Sequence, residues 1–329
     1  MSFLRSAVLR ALSVSSRIES RMISSAAPLL LSPEQVHDLV DKPDSAPVSL
    51  VDSSWFMPNS PRNAKQEFLA KRIPGSQFLD LDEVASPHEL GLKHMMPDKE
   101  TFARACEKLG ISPSTHVVLY DVHGVFSSPR ALFMFRTLGH KNSSILDGGL
   151  PRWVDAGLPV ETTPPSQPKA TVYDAPKNED NSIRSYEQVV ANSRLDPSTN
   201  AQAELVLDAR PKGRYTGNDP EPRPGLSSGH IPNSYSLTFN LFLQKHKGKD
   251  GQEYSTFLPP HEIKKALEKA VGPEETVKII RGERPATASC GSGMTAGVLW
   301  LGLQLLGVKH VGLYDESWTG YAMRSTSQI

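Results

Sequence analysis

The sequence predicts an α/β protein of two tandem domains, each a mainly parallel sheet flanked by helices. Three observations carry this expectation. One pattern of motifs occurs twice, short apolar strands alternate with helical stretches, and a polar, proline-rich stretch lies between the two copies. The 329 residues suffice for two domains with a sizeable core in each.

Residues 1–27 do not read as part of the fold. Arg5, Arg10, Arg17 and Arg21 are interleaved with Leu, Val, Ile and many Ser, and Glu19 is the only acid. On a helix this gives one basic and one apolar face, without the long apolar core of a secretory signal, so a mitochondrial presequence is expected. Met22 as an internal start would yield a cytoplasmic form. The final Ser-Gln-Ile is not the peroxisomal tripeptide.

The first copy is expected over 28–160. Val48-Ser-Leu-Val-Asp52 reads as a short buried strand, followed by Arg72-Ile-Pro-Gly-Ser76 and an apolar stretch ending Asp80-Leu-Asp82. Val117-Val-Leu-Tyr120 is a strand, Pro129–Leu138 a helix stopped by Gly139, and Ile145-Leu146 leads to Asp147-Gly-Gly149 and Trp153. A linker over 161–180 contains Glu161-Thr-Thr-Pro-Pro-Ser-Gln-Pro-Lys169, too poor in apolar residues for a core element. The second copy, 181–329, repeats the order. Leu205–Asp208 is followed by His230-Ile-Pro-Asn-Ser234 and Leu237–Asn240. Pro285–Ser289 then leads into a Gly-rich loop, the apolar helix Ala296–Leu306 stops at Gly307, and Val311–Tyr314 precedes Asp315 and Trp318.

Composition narrows the function. Hydrophobic residues make up 38%, charged residues 22%, and the formal net charge is zero. This is a globular composition, with no electrostatic reason to expect nucleic acid or an anionic membrane as partner, and no apolar run long enough to cross a bilayer. Two cysteines, Cys106 and Cys290, cannot build a disulfide framework, and no zinc-ligand spacing accompanies them. A reducing compartment fits best.

The two thiols sit in opposite settings. Cys106, in Phe102-Ala-Arg-Ala-Cys-Glu-Lys-Leu109, lies mid-helix in an amphipathic segment and reads as core. Cys290 opens Cys290-Gly-Ser-Gly-Met-Thr295, between a strand and an apolar helix; the matching loop of the first copy, Asp121–Ser128, has no thiol. Gly291 and Gly293 let the loop of Gly291, Ser292, Gly293, Met294 and Thr295 turn several N–H groups toward one centre, and the helix adds the positive end of its dipole. Such a cradle favours thiolate, stabilises a persulfide anion and keeps the sulfur open to attack.

At this point the chain resembles the tandem-domain rhodanese family of sulfurtransferases, and within it the members that use 3-mercaptopyruvate. The resemblance covers nearly the whole chain after the presequence. Its motifs are Asp52-Ser-Ser-Trp55, Ile73-Pro-Gly75, Asp147-Gly-Gly149, Arg210-Pro-Lys-Gly-Arg214, Pro220-Glu-Pro-Arg223, Gly229-His-Ile-Pro232, Ser317-Trp318 and the Cys290 loop followed by Ala296. It implies two rhodanese-like domains, the first inactive, and a Cys290 thiolate that takes sulfur from a small thio-acid donor and releases pyruvate. The acceptor would be a thiol, a thioredoxin-like dithiol protein or cyanide. It also implies that Arg214 and Arg223 hold the substrate carboxylate and keto group, which suits a planar guanidinium, and that Ser292, His94 and Asp82 form a relay beside the cysteine. Arg210 reads instead as a structural ion-pair residue. Because the cysteine sulfur carries the transferred atom, no metal or organic cofactor is expected.

Within the family, thiosulfate-using members carry Arg and Lys directly after the cysteine. Here Gly291 and Ser292 leave the loop neutral, which argues for a mono-carboxylate donor. Met294 stands where Val is more usual, and Arg72 where many members have His. A phosphatase of related fold needs Arg as the sixth residue after its cysteine; here Ala296 occupies that place and the reading is discarded. A relay protein that passes persulfide to a ubiquitin-like sulfur carrier would use the same Cys290, and a purely binding protein conflicts with the intact loop.

Overall fold

The structure, a computed structural model, describes residues 26–42, 46–176 and 181–326. The expected presequence therefore lies outside the described residues as far as residue 25.

The first domain is a five-stranded parallel sheet of β1 (Leu30–Leu31), β2 (Val48–Asp52), β3 (Gln77–Phe78), β4 (His116–Tyr120) and β5 (Ser143–Leu146), in the order β1-β5-β4-β2-β3. Its helices are α1 (Pro33–Val40), α2 (Ala64–Ala70), α3 (Lys99–Lys108), α4 (Ser128–Thr137) and α5 (Gly149–Asp155). The second domain repeats the plan with β6 (Ile183–Arg184), β7 (Leu205–Asp208), β8 (Tyr235–Ser236), the hairpin β9 (Leu243–Lys247) and β10 (Glu253–Phe257), then β11 (Ala286–Ser289) and β12 (Val311–Tyr314). Its main sheet runs β6-β12-β11-β7-β8, strand for strand the order of the first. Helices α6 (Tyr186–Ser193), α7 (Lys212–Thr216), α8 (Pro260–Val271), α9 (Pro273–Arg281), α10 (Ala296–Leu305) and α11 (Ser317–Thr326) complete it. No helix among the described residues is long and apolar enough to cross a membrane.

Local chemistry repeats with topology. Both α1 and α6 start with a capping box: Ser32 with Gln35, and Ser185 with Gln188, each satisfying orphan N–H groups of the first turn. Along β4, Val117 and Leu119 face one core while Val118 and Tyr120 face another, the alternation of a strand covered on both sides. In β7, Leu205 and Leu207 join the same core as Val117, and Val206 faces away from it. The inner faces of the two sheets thus share one continuous core with α4 and α10 at its centre.

Helix α10 is apolar on all sides and buried from Ala296 through Leu303, as expected of a helix enclosed by both domains. Gly297 permits the closest approach: a Cβ there would stand 2.7 Å from the Arg130 nitrogen. One turn on, Trp300 meets Phe133 edge to face at 5.3 Å.

The domains also exchange segments. The stretch between β3 and α3 carries His94 into the second domain, while the β9–β10 hairpin reaches back onto the first-copy loop, where Ser255 N–H donates to His123 O at 3.1 Å. Arg72 is fully buried and ties the linker down, bonding Thr163 O and pairing with Glu161 at 3.3 Å.

Candidate active site

Cys290 is the first residue after β11. Ser289 pairs with Asp208 of β7, so the cysteine emerges at the C-terminal edge of the sheet, where parallel α/β sheets form their crevices. The loop then turns through Gly293, whose φ of +84° favours glycine, and enters α10 at Thr295 without a side-chain cap. The N–H groups of Gly291, Ser292, Met294 and Thr295 take no backbone or side-chain acceptor among the described residues. Donors left open on a loop that begins with a thiol and ends at a helix N-terminus form a place for negative charge.

Ser317 secures the loop. Its Oγ accepts from Cys290 N–H at 3.0 Å and Gly293 N–H at 3.1 Å, donates to Tyr314 O at 2.9 Å, and lies 3.9 Å from Cys290 Sγ. Ser317 itself is fully buried with φ of +52°. The sequence offered Ser317 as part of a motif; its contacts with the loop follow from the turn after β12 and had no separate signal.

A cavity of about 410 Å³ opens on the cysteine. Cys290, Arg214 and Arg223 line it on the second-domain side, and Trp55 and Phe126 on the first-domain side, with Phe239 between. Both arginines stand over Gly291: a Cβ there would meet Arg214 Nη2 at 3.1 Å and Arg223 Nη1 at 3.7 Å. Arg214 bonds Glu221 through Nη2, and its Nε is buried without a partner. The Arg223 guanidinium makes no hydrogen bond or ion pair among the described residues. Burial holds Arg223 below the ordinary guanidinium value; the Cys290 charge opposes this and Arg214 reinforces it. Arg210, by contrast, is spent: it grips Asp208 (Nη2, 2.6 Å) and Glu221 (Nη1, 2.7 Å) and packs over Trp318.

The structure brings Ser292, His94 and Asp82 together although 198 residues separate the first two. His94 Nε2 is 2.9 Å from Ser292 Oγ and His94 Nδ1 is 2.9 Å from Asp82 Oδ1. Burial opposes the Asp82 charge, but hydrogen bonds from His94 and Trp55 and the His94 charge outweigh it and hold the carboxyl below its usual range. In the neutral ring, with Asp82 accepting the Nδ1 proton, Nε2 is left to accept from Ser292; in the charged ring it donates to it. Trp55 fixes the far end, donating from Nε1 to Asp82 Oδ2 at 3.2 Å and setting its indole edge-on to His94. Sequence reading did not assign Trp55 a task, because the tryptophan follows β2, far along the chain from its partners.

Cys106 lies in the core at 1% exposure, where burial, with the Glu107 charge behind it, pushes its thiol far above the ordinary range. A cavity of about 540 Å³ lies under the linker between α2 and α3 and is lined by neither cysteine nor histidine. No group of three or more His, Cys, Asp or Glu among the described residues is placed to hold a metal ion.

Comparison with known proteins places the chain among sulfurtransferases of the same fold. The Rhodanese-like domain family matches residues 32–156 and 192–324. The 3-mercaptopyruvate sulfurtransferase of Mus musculus is 37% identical over 299 residues, 90% of this chain and 92% of that protein. The mitochondrial thiosulfate/3-mercaptopyruvate sulfurtransferase 1 of Arabidopsis thaliana is 34% identical over 320 residues, 91% of this chain and 77% of that protein. Among solved structures, SseA from Escherichia coli, described under 3-mercaptopyruvate sulfotransferases, superposes with a TM-score of 0.70 at 28% identity, covering 89% of this chain and 99% of SseA.

Proposed function

Because this chain belongs to the rhodanese-like domain family, in two copies, and is a sulfurtransferase, we propose that it moves sulfur from 3-mercaptopyruvate through a persulfide on Cys290. The observation that carries the choice of donor is the Arg223 guanidinium, half-buried and unpaired, beside Arg214 and directly over a neutral Gly291-Ser292 pair. A carboxylate with an adjacent keto oxygen suits two planar guanidinium groups with donors to spare.

In this reading the Cys290 thiolate attacks the donor sulfur. The carbon–sulfur bond breaks and its electron pair passes to the three-carbon fragment as the enolate of pyruvate. Arg214 and Arg223 hold the carboxylate and the enolate oxygen, which is where charge develops. The proton that left the donor thiol reaches the enolate carbon through Ser292, with His94 and Asp82 setting the basicity of the serine hydroxyl. The persulfide anion rests against the open loop N–H groups until an acceptor thiolate takes its outer sulfur. Acceptors proposed are small thiols, a thioredoxin-like dithiol protein and a ubiquitin-like sulfur carrier. The N-terminal basic, acid-poor stretch and the mitochondrial relative from Arabidopsis thaliana support a mitochondrial location, with a cytoplasmic form from Met22; sizing the protein in the two fractions tests this.

The deciding measurement is steady-state turnover with 3-mercaptopyruvate against thiosulfate, using a dithiol acceptor, with intact mass after exposure to donor alone. A higher kcat/KM for 3-mercaptopyruvate and one added sulfur, absent in Cys290→Ser, is expected. Preference for thiosulfate would sink the argument from the neutral loop.

A further inference from the structure

One cation of the non-catalytic copy reaches into the site without being used by the reading above. Arg130, near the start of α4, is 2% exposed, and its Nη2 donates both to His94 O at 2.8 Å and to Asp315 Oδ1 at 2.5 Å. Asp315 uses its other oxygen to accept from Met96 N–H at 2.7 Å. The guanidinium and the carboxylate therefore clamp the 94–96 segment at both ends. The segment needs clamping: His94 has φ of +46°, a conformation a non-glycine residue keeps only where its surroundings over-determine it. The same pair touches the cysteine loop. Arg130 Nη1 is buried without a hydrogen-bond partner and lies so near Gly293 that a Cβ there would stand 3.4 Å from it; Asp315 O would be 2.8 Å away. Asp315 also lies two residues before Ser317, whose Oγ binds the Cys290 and Gly293 N–H groups.

We propose that Arg130 is a positioning residue of the first domain that holds His94 in register with Ser292 and joins it to the Cys290 loop. The inference rests on His94 being the central member of the relay. Other cross-domain pairs, such as Arg324 with Glu89 and His88 with Glu316, bond neither His94 nor the loop, so general docking strength is a separate matter. A lysine keeps the charge but not the clamp: its stem is one bond shorter than that of arginine, so the ammonium stops short of the point from which Arg130 Nη2 reaches both His94 O and Asp315 Oδ1.

The test is a double-mutant cycle on the full chain with Arg130→Lys and His94→Asn, measuring kcat and KM for 3-mercaptopyruvate together with thermal unfolding. Arg130→Lys alone should lower kcat about 10- to 100-fold, the scale of an ångström of misplacement, with KM changed less than about threefold. In the His94→Asn background the same substitution should cost less than about threefold, because the group it positions is gone. An equal cost in both backgrounds, or none in the wild type where His94→Asn is slow, overturns the inference and spares the relay. Normal kcat in His94→Asn alone overturns the relay and this inference with it. Should Arg130→Lys fail to fold, Asp315→Asn, which opens the clamp from its other side, enters the cycle with the same expectations.

Discussion

The loop after β4 and the loop after β11 leave their sheets at equivalent points and reach different ends. Tyr120 pairs with Asp52 and Ser289 with Asp208, so Asp121 and Cys290 correspond. Asp121 turns its carboxylate into its own loop: Oδ2 accepts from the N–H groups of Phe126, Ser127 and Ser128 and from Ser128 Oγ, and Oδ1 from His123 N–H. After Cys290 the N–H groups of Gly291, Ser292, Met294 and Thr295 take no acceptor among the described residues. The mouths differ too. Over the first loop lies the main chain of Ser255, so close that a Cβ on Gly124 would stand 2.4 Å from its carbonyl oxygen; over the second lies the cavity with Arg214 and Arg223. A strand–loop–helix turn makes an anion cradle in both copies. On the mechanism proposed above, what separates them is whether the anion is a fixed side chain or one that a thiol can carry and give away.

The sharpest way to break that comparison is to move the thiol. Cys290→Ser should abolish sulfur uptake, seen as no added mass after exposure to donor. Asp121→Cys added to that variant should restore none, because the first mouth is closed by backbone and lacks the two arginines. Sulfur appearing on residue 121 would show that the thiol alone distinguishes the loops. Cys106→Ser should leave kcat within about twofold, since a core thiol whose ionisation burial suppresses has no share in the chemistry.

A second variant asks whether the Asp121 carboxylate is structural. Asp121→Asn keeps one oxygen acceptor but turns an amide toward N–H donors, so unfolding free energy should fall by about 3 kcal/mol in urea titration. Turnover per folded molecule should stay within about twofold. A stable variant with slow turnover would mean that the first loop serves the reaction directly.

Much of this contrast was legible in the chain, and the reasons are local. Strand, glycine loop and apolar helix follow one another within twenty residues, so Cys290 could be separated from Cys106 by its neighbours alone. Arg214 and Arg223 share one loop-rich segment, but their selection came from the family resemblance, since loop arginines carry no signal of their own. The relay depended on resemblance, because His94 reaches Ser292 only after two domains dock. Nothing near Arg130 or Trp55 announces their contacts, since each partner lies on a different element: Asp315 after β12, and Asp82 after β3. The β9–β10 hairpin also escaped notice, for Leu243-Gln-Lys-His-Lys247 has no apolar alternation and gains its place by pairing across the turn and lying on the first domain.

The smallest expected effect concerns the strand ends beside the two loops. Asp52 and Asp208 both finish the strand that neighbours the loop strand, and both are buried. Asp208 has Arg210 two residues on, bonded to both its oxygens. At the corresponding place the first copy has Ser54, which donates its N–H to Asp52 Oδ1 at 2.9 Å and carries no charge, and Oδ2 is left without a partner. Burial pushes the Asp52 carboxyl up to about 7, against the Ser54 hydrogen bonds and with Asp121 and Glu67 adding to it. A raised carboxyl works against stability as pH rises. From about pH 4 to 7 the unfolded chain has released a proton that the folded chain still holds, so stability falls across that window and the whole penalty is present above it. Asp52→Asn keeps the acceptor for Ser54 and cannot ionise. It should flatten the fall and leave the variant more stable than the parent at pH 8 by about 2 kcal/mol, while matching it near pH 4. Urea midpoints at half-unit steps of pH read both ends of the window. Parallel curves for parent and variant would mean that the first copy carries its buried aspartate charged and has found a counter-charge other than an arginine on the same loop.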